Sequence, residues 1–185
     1  MCNDKTLRFN LRKSDVGLVS TKYVLQMKYK VGIGYDVHRL GEGDGLVLGG
    51  IVVPSGLCSV GHSDADCLIH AIIDAMLGAA NLRDIGFQYP DSNPDYKGID
   101  SKRLLADAFK KITDKGYKIE NIDSTICLQT PKVGKYIGQM QQCLAEILNL
   151  DTEDLTIKAT TTEKLGFVGN SSGIAAYAVC LLSRD

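Results

Sequence analysis

Residues 31–40 read VGIGYDVHRL and residues 61–70 read GHSDADCLIH, and everything else in the chain is organised around this pair of segments. The chain has three histidines, and all of them lie here: His38, His62 and His70. Side chains alternate along a strand, so Asp36 and His38 point to one side of an extended segment. His70 falls in what reads as the start of a helix. A catalytic zinc ion takes about three nitrogen or oxygen ligands from the protein and keeps a fourth position open. Asp36, His38 and His70 would make such a set. Taken alone, a D-x-H pair on a strand is more often a surface pair. The confinement of every histidine to this acid-rich segment is what favours a metal.

Working outward, 185 residues suit one domain with a tail. A hydrophobic content of 44% is enough for an ordinary core, and a net charge of -1 gives no electrostatic case for binding nucleic acid or membrane. The six cysteines have no C-x-x-C spacing, and Cys127 and Cys180 sit inside apolar runs. Buried reduced thiols fit this pattern better than a disulfide framework. No apolar run approaches the length of a membrane span. Residues 1–27 are basic (Lys5, Arg8, Arg12, Lys13 and Lys22 against Asp4 and Asp15) and without clear period. They read as a disordered extension in preference to a transit peptide. The folded domain is expected over residues 28–185.

The elements follow from periodicity and punctuation. Tyr29 to Val37 reads as a strand. Leu46 to Val53 is a second extended run, broken by Gly49-Gly50 and stopped by Pro54. Ser63 or Asp64 is expected to cap a helix carrying Leu68, Ile69, Ile72, Ile73, Met76 and Leu77. Asp66, His70 and Asp74 would then share one polar edge, where an acid could orient His70; Asp74 reads as a solvated charge. Residues 81–101 hold a long loop of turn residues. Asp100 or Ser101 opens a helix through Leu104, Leu105, Ala108, Phe109 and Ile112, ended by Gly116. Ile119–Gln129 reads as a strand, Tyr136–Leu148 as a third helix, and Leu155–Thr161 and Ile174–Leu182 as strands. This order implies an α+β fold with one sheet and three helices packed on one face. Thr160-x-x-Glu163 matches a capping box, and equally a phosphate and metal site built from threonine hydroxyls and a carboxylate.

Five motifs together are specific: Gly34–His38, His62–Asp66 with His70, Asp84-Ile85-Gly86, Tyr89-Pro90-Asp91, and Lys158–Gly166. Over about residues 29–183 the chain resembles the 2-C-methyl-D-erythritol 2,4-cyclodiphosphate synthases of the non-mevalonate route to isoprenoids. The resemblance implies a metal-dependent phosphorus–oxygen lyase, a homotrimer with active sites between subunits. Its substrate would be 4-diphosphocytidyl-2-C-methyl-D-erythritol 2-phosphate, closed to the cyclic diphosphate with release of CMP. One Zn²⁺ per subunit would sit on Asp36, His38 and His70. A second ion, Mg²⁺ or Mn²⁺, would bridge the diphosphate with Glu163 as its ligand. His62 and Thr161 would stabilise the transition state. His62 and Ser63 would hold the methylerythritol phosphate end, and Asp36 and His38 would also contact substrate. Asp84, Ile85 and Gly86, with Tyr89, Asp91 and Asn93, would contact the sugar phosphate. The cytidine side would be formed by Leu128, Lys132, Val133 and Gly134 with Thr160, Thr161, Thr162 and Glu163, and Phe167 would also contact substrate.

Two positions depart from the family's habit. Asn170 stands where an arginine is frequent, which loses a charge, and Asn93 replaces a frequent acid. The expected compartment is the bacterial cytoplasm, ahead of a plastid. Two other readings use the same ligands: a zinc phosphohydrolase in which water replaces the internal phosphate, and a non-catalytic zinc-stabilised trimer that binds a nucleotide. A structural zinc site closes its fourth position with protein, and Cys67 is the residue near enough in sequence to do so.

Overall fold

The first strand, β1 (Lys28–Glu42), explains the layering by itself. Gly32, Gly34 and Leu40 are buried on one side, while Val31, Ile33, Tyr35 and Val37 are exposed on the other. The computed structural model describes residues 28–184. The N-terminal extension read from residues 1–27 lies outside the described residues.

The remaining strands are β2 (Leu46–Leu48), β3 (Ile51–Val53), β4 (Leu57–Val60), β5 (Lys118–Cys127), β6 (Leu155–Thr160) and β7 (Gly173–Arg184). The helices are α1 (Cys67–Ala79), α2 (Ile85–Gln88), α3 (Ser101–Asp114), α4 (Ile137–Leu148) and α5 (Gly166–Gly169). A five-stranded sheet has the order β4-β1-β7-β5-β6, and β2 and β3 form a separate two-stranded sheet. Among the described strands only β5 and β6 pair in parallel, with α4 in the connection between them. This is the crossover that a parallel pair requires.

The α+β class therefore stands, but the expectation of one sheet with three helices is corrected: among the described residues there are two sheets and five α-helices. The physical reasons are local. Gly49 and Gly50 both adopt positive φ, 60° and 76°. Two such residues in succession make a tight mirror-image turn that glycine enters without a Cβ penalty. The run Leu46–Val53 folds back at that turn, so Leu46 pairs with Val53 and Leu48 with Ile51. α2 and α5 are each four residues long, too short for a helical period to show in sequence.

α1 is a core helix rather than an amphipathic one. Of its residues only Asp74 and Gly78 escape full burial. Its cap is Asp66, not Ser63 or Asp64. The Asp66 carboxylate accepts from Ile69 N at 3.0 Å, and also from Gly49 N at 3.0 Å and Gly50 N at 2.7 Å. One fully buried side chain thus ties the small sheet's turn to the start of α1.

α1 crosses β1 and β7 at very short range. A Cβ on Gly34 would lie 1.9 Å from the Ala71 carbonyl oxygen, and one on Gly32 would lie 2.0 Å from that of Ala75. α3 lies against α1, and α4 against α3 and β6. Gly34→Ala should therefore push α1 off the sheet and cost at least about 3 kcal/mol. A thermal melt should show the midpoint falling by roughly 6–12 °C.

Candidate active site

The glycine contact decides where the histidines go. β1 carries Asp36 and His38 on the face that α1 covers, and the first turn of α1 lowers His70 onto them. Asp36 Oδ2 lies 2.9 Å from His38 Nδ1 and 3.2 Å from His70 Nδ1, and the two rings are 5.2 Å apart between centroids. One ligand atom from each of the three residues lies within 4.8 Å of the others. His38 Nδ1 is buried and has no hydrogen-bond partner among the described residues. It stands beside the carboxylate oxygen without the alignment of a hydrogen bond. Three electron-pair donors turned toward a common space suit a divalent cation, so the residues present fit a metal.

Electrostatics agree with that shape. Burial alone would raise the Asp36 carboxyl, but the facing imidazoles of His38 and His70 outweigh it and hold the group well below the usual carboxylate range. Burial would lower His70, yet the neighbouring Asp36 carboxylate outweighs it and raises the imidazole. Cys67 takes no part. Its sulfhydryl donates to the Asp36 carbonyl oxygen at 3.2 Å, and burial pushes the thiol far up. Cys67 is not among the residues whose ligand atoms converge there, so a closed structural zinc site with Cys67 as fourth protein ligand is not formed.

A cavity of about 210 Å³ opens beside the three residues. His62, Ser63, Ile85, Gly86, Tyr89 and Asp91 also line it, together with Tyr96, Ile99 and Leu104. His62 Nε2 is buried and has no partner among the described residues. Ser63 Oγ lies 3.1 Å from His70 Nε2. Tyr89 is held by its hydroxyl, which donates to Asp107 Oδ2 at 2.8 Å. Two expected residues do not line the cavity and instead shape its loops. Asp84 caps α2 by accepting from Phe87 N at 2.8 Å, and Asn93 accepts from Asp95 N at 3.0 Å.

Sequence reasoning missed Asp74. It is half-buried, not solvated, and accepts from Ile85 N at 2.7 Å, tying the cavity loop to α1. Its position one helical turn beyond His70 was the available signal, but no periodicity names the partner. The acid expected to orient His70 is likewise neither Asp66 nor Asp74. Ser101 Oγ and Ser63 Oγ face the free nitrogen.

The second group of expected residues gathers elsewhere, at the carboxyl ends of the parallel strands β5 and β6. Leu128 N donates to Thr160 O at 3.0 Å, which sets residues 128–134 beside residues 160–163. Thr161 Oγ1 donates to Glu163 Oε1 at 3.3 Å. Glu163 and Lys164 have φ of 51° and 64°, so no helix starts there and the capping box does not form. Thr162 Oγ1 instead donates to Leu165 O at 2.6 Å. Lys132, Glu163 and Phe167 are exposed, whereas Leu128 and Val133 bury their side chains and leave only backbone to a ligand. Asn170 is folded onto its own turn, with Oδ1 accepting from Ser172 N at 3.0 Å. None of this group lines the cavity at Asp36.

The model of the YgbB family matches residues 29–183. The chain belongs to the YgbB family. It is 56% identical over 158 residues to the 2-C-methyl-D-erythritol 2,4-cyclodiphosphate synthase of Bacteroides fragilis, covering 85% of this chain and 99% of that protein. Among solved structures, it superposes with a TM-score of 0.83 and 39% identity on the bifunctional IspDF of Campylobacter jejuni, over 86% of this chain and 43% of that longer one. It superposes with a TM-score of 0.77 and 33% identity on a 2C-methyl-D-erythritol-2,4-cyclodiphosphate synthase in its CDP-bound form, over 83% of this chain and 99% of that one. Among the described residues of this YgbB-family chain, no helix is long and apolar enough to cross a membrane.

The Asp74 contact can be read directly. Asp74→Ala removes a hydrogen bond to a charged acceptor, worth about 1.5–3 kcal/mol. The Ile85 amide should exchange with solvent roughly 10- to 100-fold faster, measured by hydrogen exchange.

Proposed function

We infer that this chain closes 4-diphosphocytidyl-2-C-methyl-D-erythritol 2-phosphate to 2-C-methyl-D-erythritol 2,4-cyclodiphosphate and releases CMP. The observation that carries this reading is the convergence of Asp36, His38 and His70 beside the cavity, in a chain of the YgbB family. An oxygen of the 2-phosphate bonds to the β-phosphorus while the bond from that phosphorus to the bridging oxygen breaks. The electron pair leaves on CMP. The attacking phosphate is ionised at neutral pH, so no strong base is required, and catalysis reduces to positioning and charge neutralisation.

Asp36, His38 and His70 would hold Zn²⁺, and Glu163 would hold Mg²⁺ or Mn²⁺. When bound, these ions neutralise the phosphate oxygens and orient the diphosphate. His62 brings a ring nitrogen with no partner among the described residues and serves the transferring phosphoryl group. Ser63 offers its hydroxyl to the methylerythritol phosphate. Ile85, Gly86, Tyr89 and Asp91 position the sugar end, while Ile99 and Leu104 keep water from competing with the internal nucleophile. Thr161 supplies a second hydroxyl to the transition state. The 128–134 and 160–163 segments, with Lys132 and Phe167, take the cytidine end.

Those segments lie outside the cavity in their own subunit, which supports a site completed by a neighbouring copy. The outer face of β1 and β7 supports the same assembly. Val31, Ile33, Tyr35, Val37, Tyr177 and Val179 are all exposed there. A contiguous apolar sheet face of this kind is buried in an oligomer, and we assign a closed trimer. The reading places the enzyme in the cytoplasm with a small nucleotide substrate.

Phosphorus NMR of the product decides the chemistry: the cyclic diphosphate with CMP is expected, whereas inorganic phosphate would indicate a hydrolase. His38→Ala should lose bound metal and turnover together, and turnover retained after chelation would refute the mechanism. Ile33→Asp should convert the sedimenting species from three copies to one; a wild-type monomer would refute the shared site.

A further inference from the structure

We propose that Ser101 and Asp64 act as a positioning pair that fixes which nitrogen of His70 faces the metal, an inference that rests on the zinc reading above. Neither residue belongs to the ligand set, and Ser101 does not line the cavity. Ser101 is fully buried at the start of α3. Its Oγ lies 2.9 Å from His70 Nε2 and 2.5 Å from Asp64 Oδ1. Its backbone N–H also donates to Asp64, at 3.1 Å to Oδ2. The carboxylate therefore grips this serine at two points.

Hydrogen-bond direction follows from the chemistry of the groups. A carboxylate only accepts, so the Ser101 hydroxyl hydrogen is committed to Asp64. Only lone pairs remain on Ser101 Oγ toward His70, and Nε2 must supply the hydrogen between them. The proton on Nε2 leaves the electron pair on Nδ1, the nitrogen that faces Asp36 at 3.2 Å. Ser63 Oγ makes the longer contact to Nε2, at 3.1 Å, and accepts from Ala65 N at 3.1 Å. It shares the same ring hydrogen while lining the cavity. Metal-bound imidazoles usually have their far nitrogen held by a carboxylate or a carbonyl. Here the carboxylate acts through a serine, because Asp64 sits one group further back.

A purely architectural role predicts a different outcome. Asp64 also fastens the loop at residues 62–64 to α3, and its own N–H donates to Ile99 O at 3.1 Å. Ser101→Ala keeps the backbone contact to Asp64 and removes the oxygen that touches both His70 and Asp64 Oδ1. Zinc affinity is measured by competition with a chromophoric chelator. The variant should bind zinc about 10- to 100-fold more weakly than the full-length wild type, while its metal-free form still folds cooperatively, with a midpoint roughly 3–12 °C lower for the lost hydrogen bond to Asp64.

Long-range proton–nitrogen NMR of the zinc-loaded wild type should show His70 protonated at Nε2 and metallated at Nδ1. This measurement stands even if the variant does not fold. Zinc affinity within twofold of wild type in Ser101→Ala, or a proton on Nδ1 with the metal on Nε2, overturns the proposal and leaves the zinc site intact. A wild type that takes up no zinc overturns the zinc reading and this inference with it.

Discussion

The molecule depends on how closely one helix can lie on one strand. At Gly32 and Gly34 the carbonyl oxygens of α1 occupy the space where a strand residue would carry its Cβ. Opposite them α1 presents Ala71, Ala75 and Ala79, all buried. This contact of small residues sets the separation of two elements whose ends carry the chemistry. With larger side chains the helix would stand further off, and His70 would no longer meet Asp36. The strongest packing constraint and the positioning of the site are one and the same.

Around that contact, carboxylates act as local organisers. Asp66 joins the hairpin turn to α1, Asp74 joins the 85–88 helix to α1, Asp64 grips the start of α3, and Asp107 holds the hydroxyl of Tyr89. Each accepts from backbone or hydroxyl groups that are buried or partly buried. The Tyr89 phenol is pushed up by burial and by the Asp107 carboxylate, so it remains a donor. Asp36 is the exception among these acids, because it faces imidazole nitrogens rather than backbone. A nearly neutral chain can bind a polyanionic substrate on this plan, since the positive charge arrives with ions held by a few acids and histidines.

The two clusters of proposed site residues belong to opposite kinds of architecture. The cavity cluster hangs on an antiparallel strand and a core helix. The 128–134 and 160–163 segments sit at the carboxyl ends of the parallel pair, where loops leave a sheet with free backbone groups. The proposed assembly through the apolar face of β1 and β7 would give each cluster a way to meet its counterpart from another copy. The inner face of the same strand, β1, carries Asp36 and His38, so the proposed recognition between copies and metal binding would be separated by one residue of alternation.

Much of this was legible before any coordinates. The D-x-H pair, the concentration of histidines, the three long helices and the strands at both ends are all local signals, written in side-chain period and in turn residues. The motifs carried the family. The sequence did not disclose the fold-back at Gly49-Gly50, the one-turn helices α2 and α5, or the true partners of Asp66, Asp74 and His70. Periodicity reports which face of an element is buried, and it says nothing about what lies across the gap. A carboxylate's partner is chosen by the packing of segments distant in sequence, such as Asp64 with Ser101 or Asp74 with Ile85. Residue types and their local pattern were therefore determined by the sequence alone, while the pairing of polar groups was decided only when α1 settled onto β1.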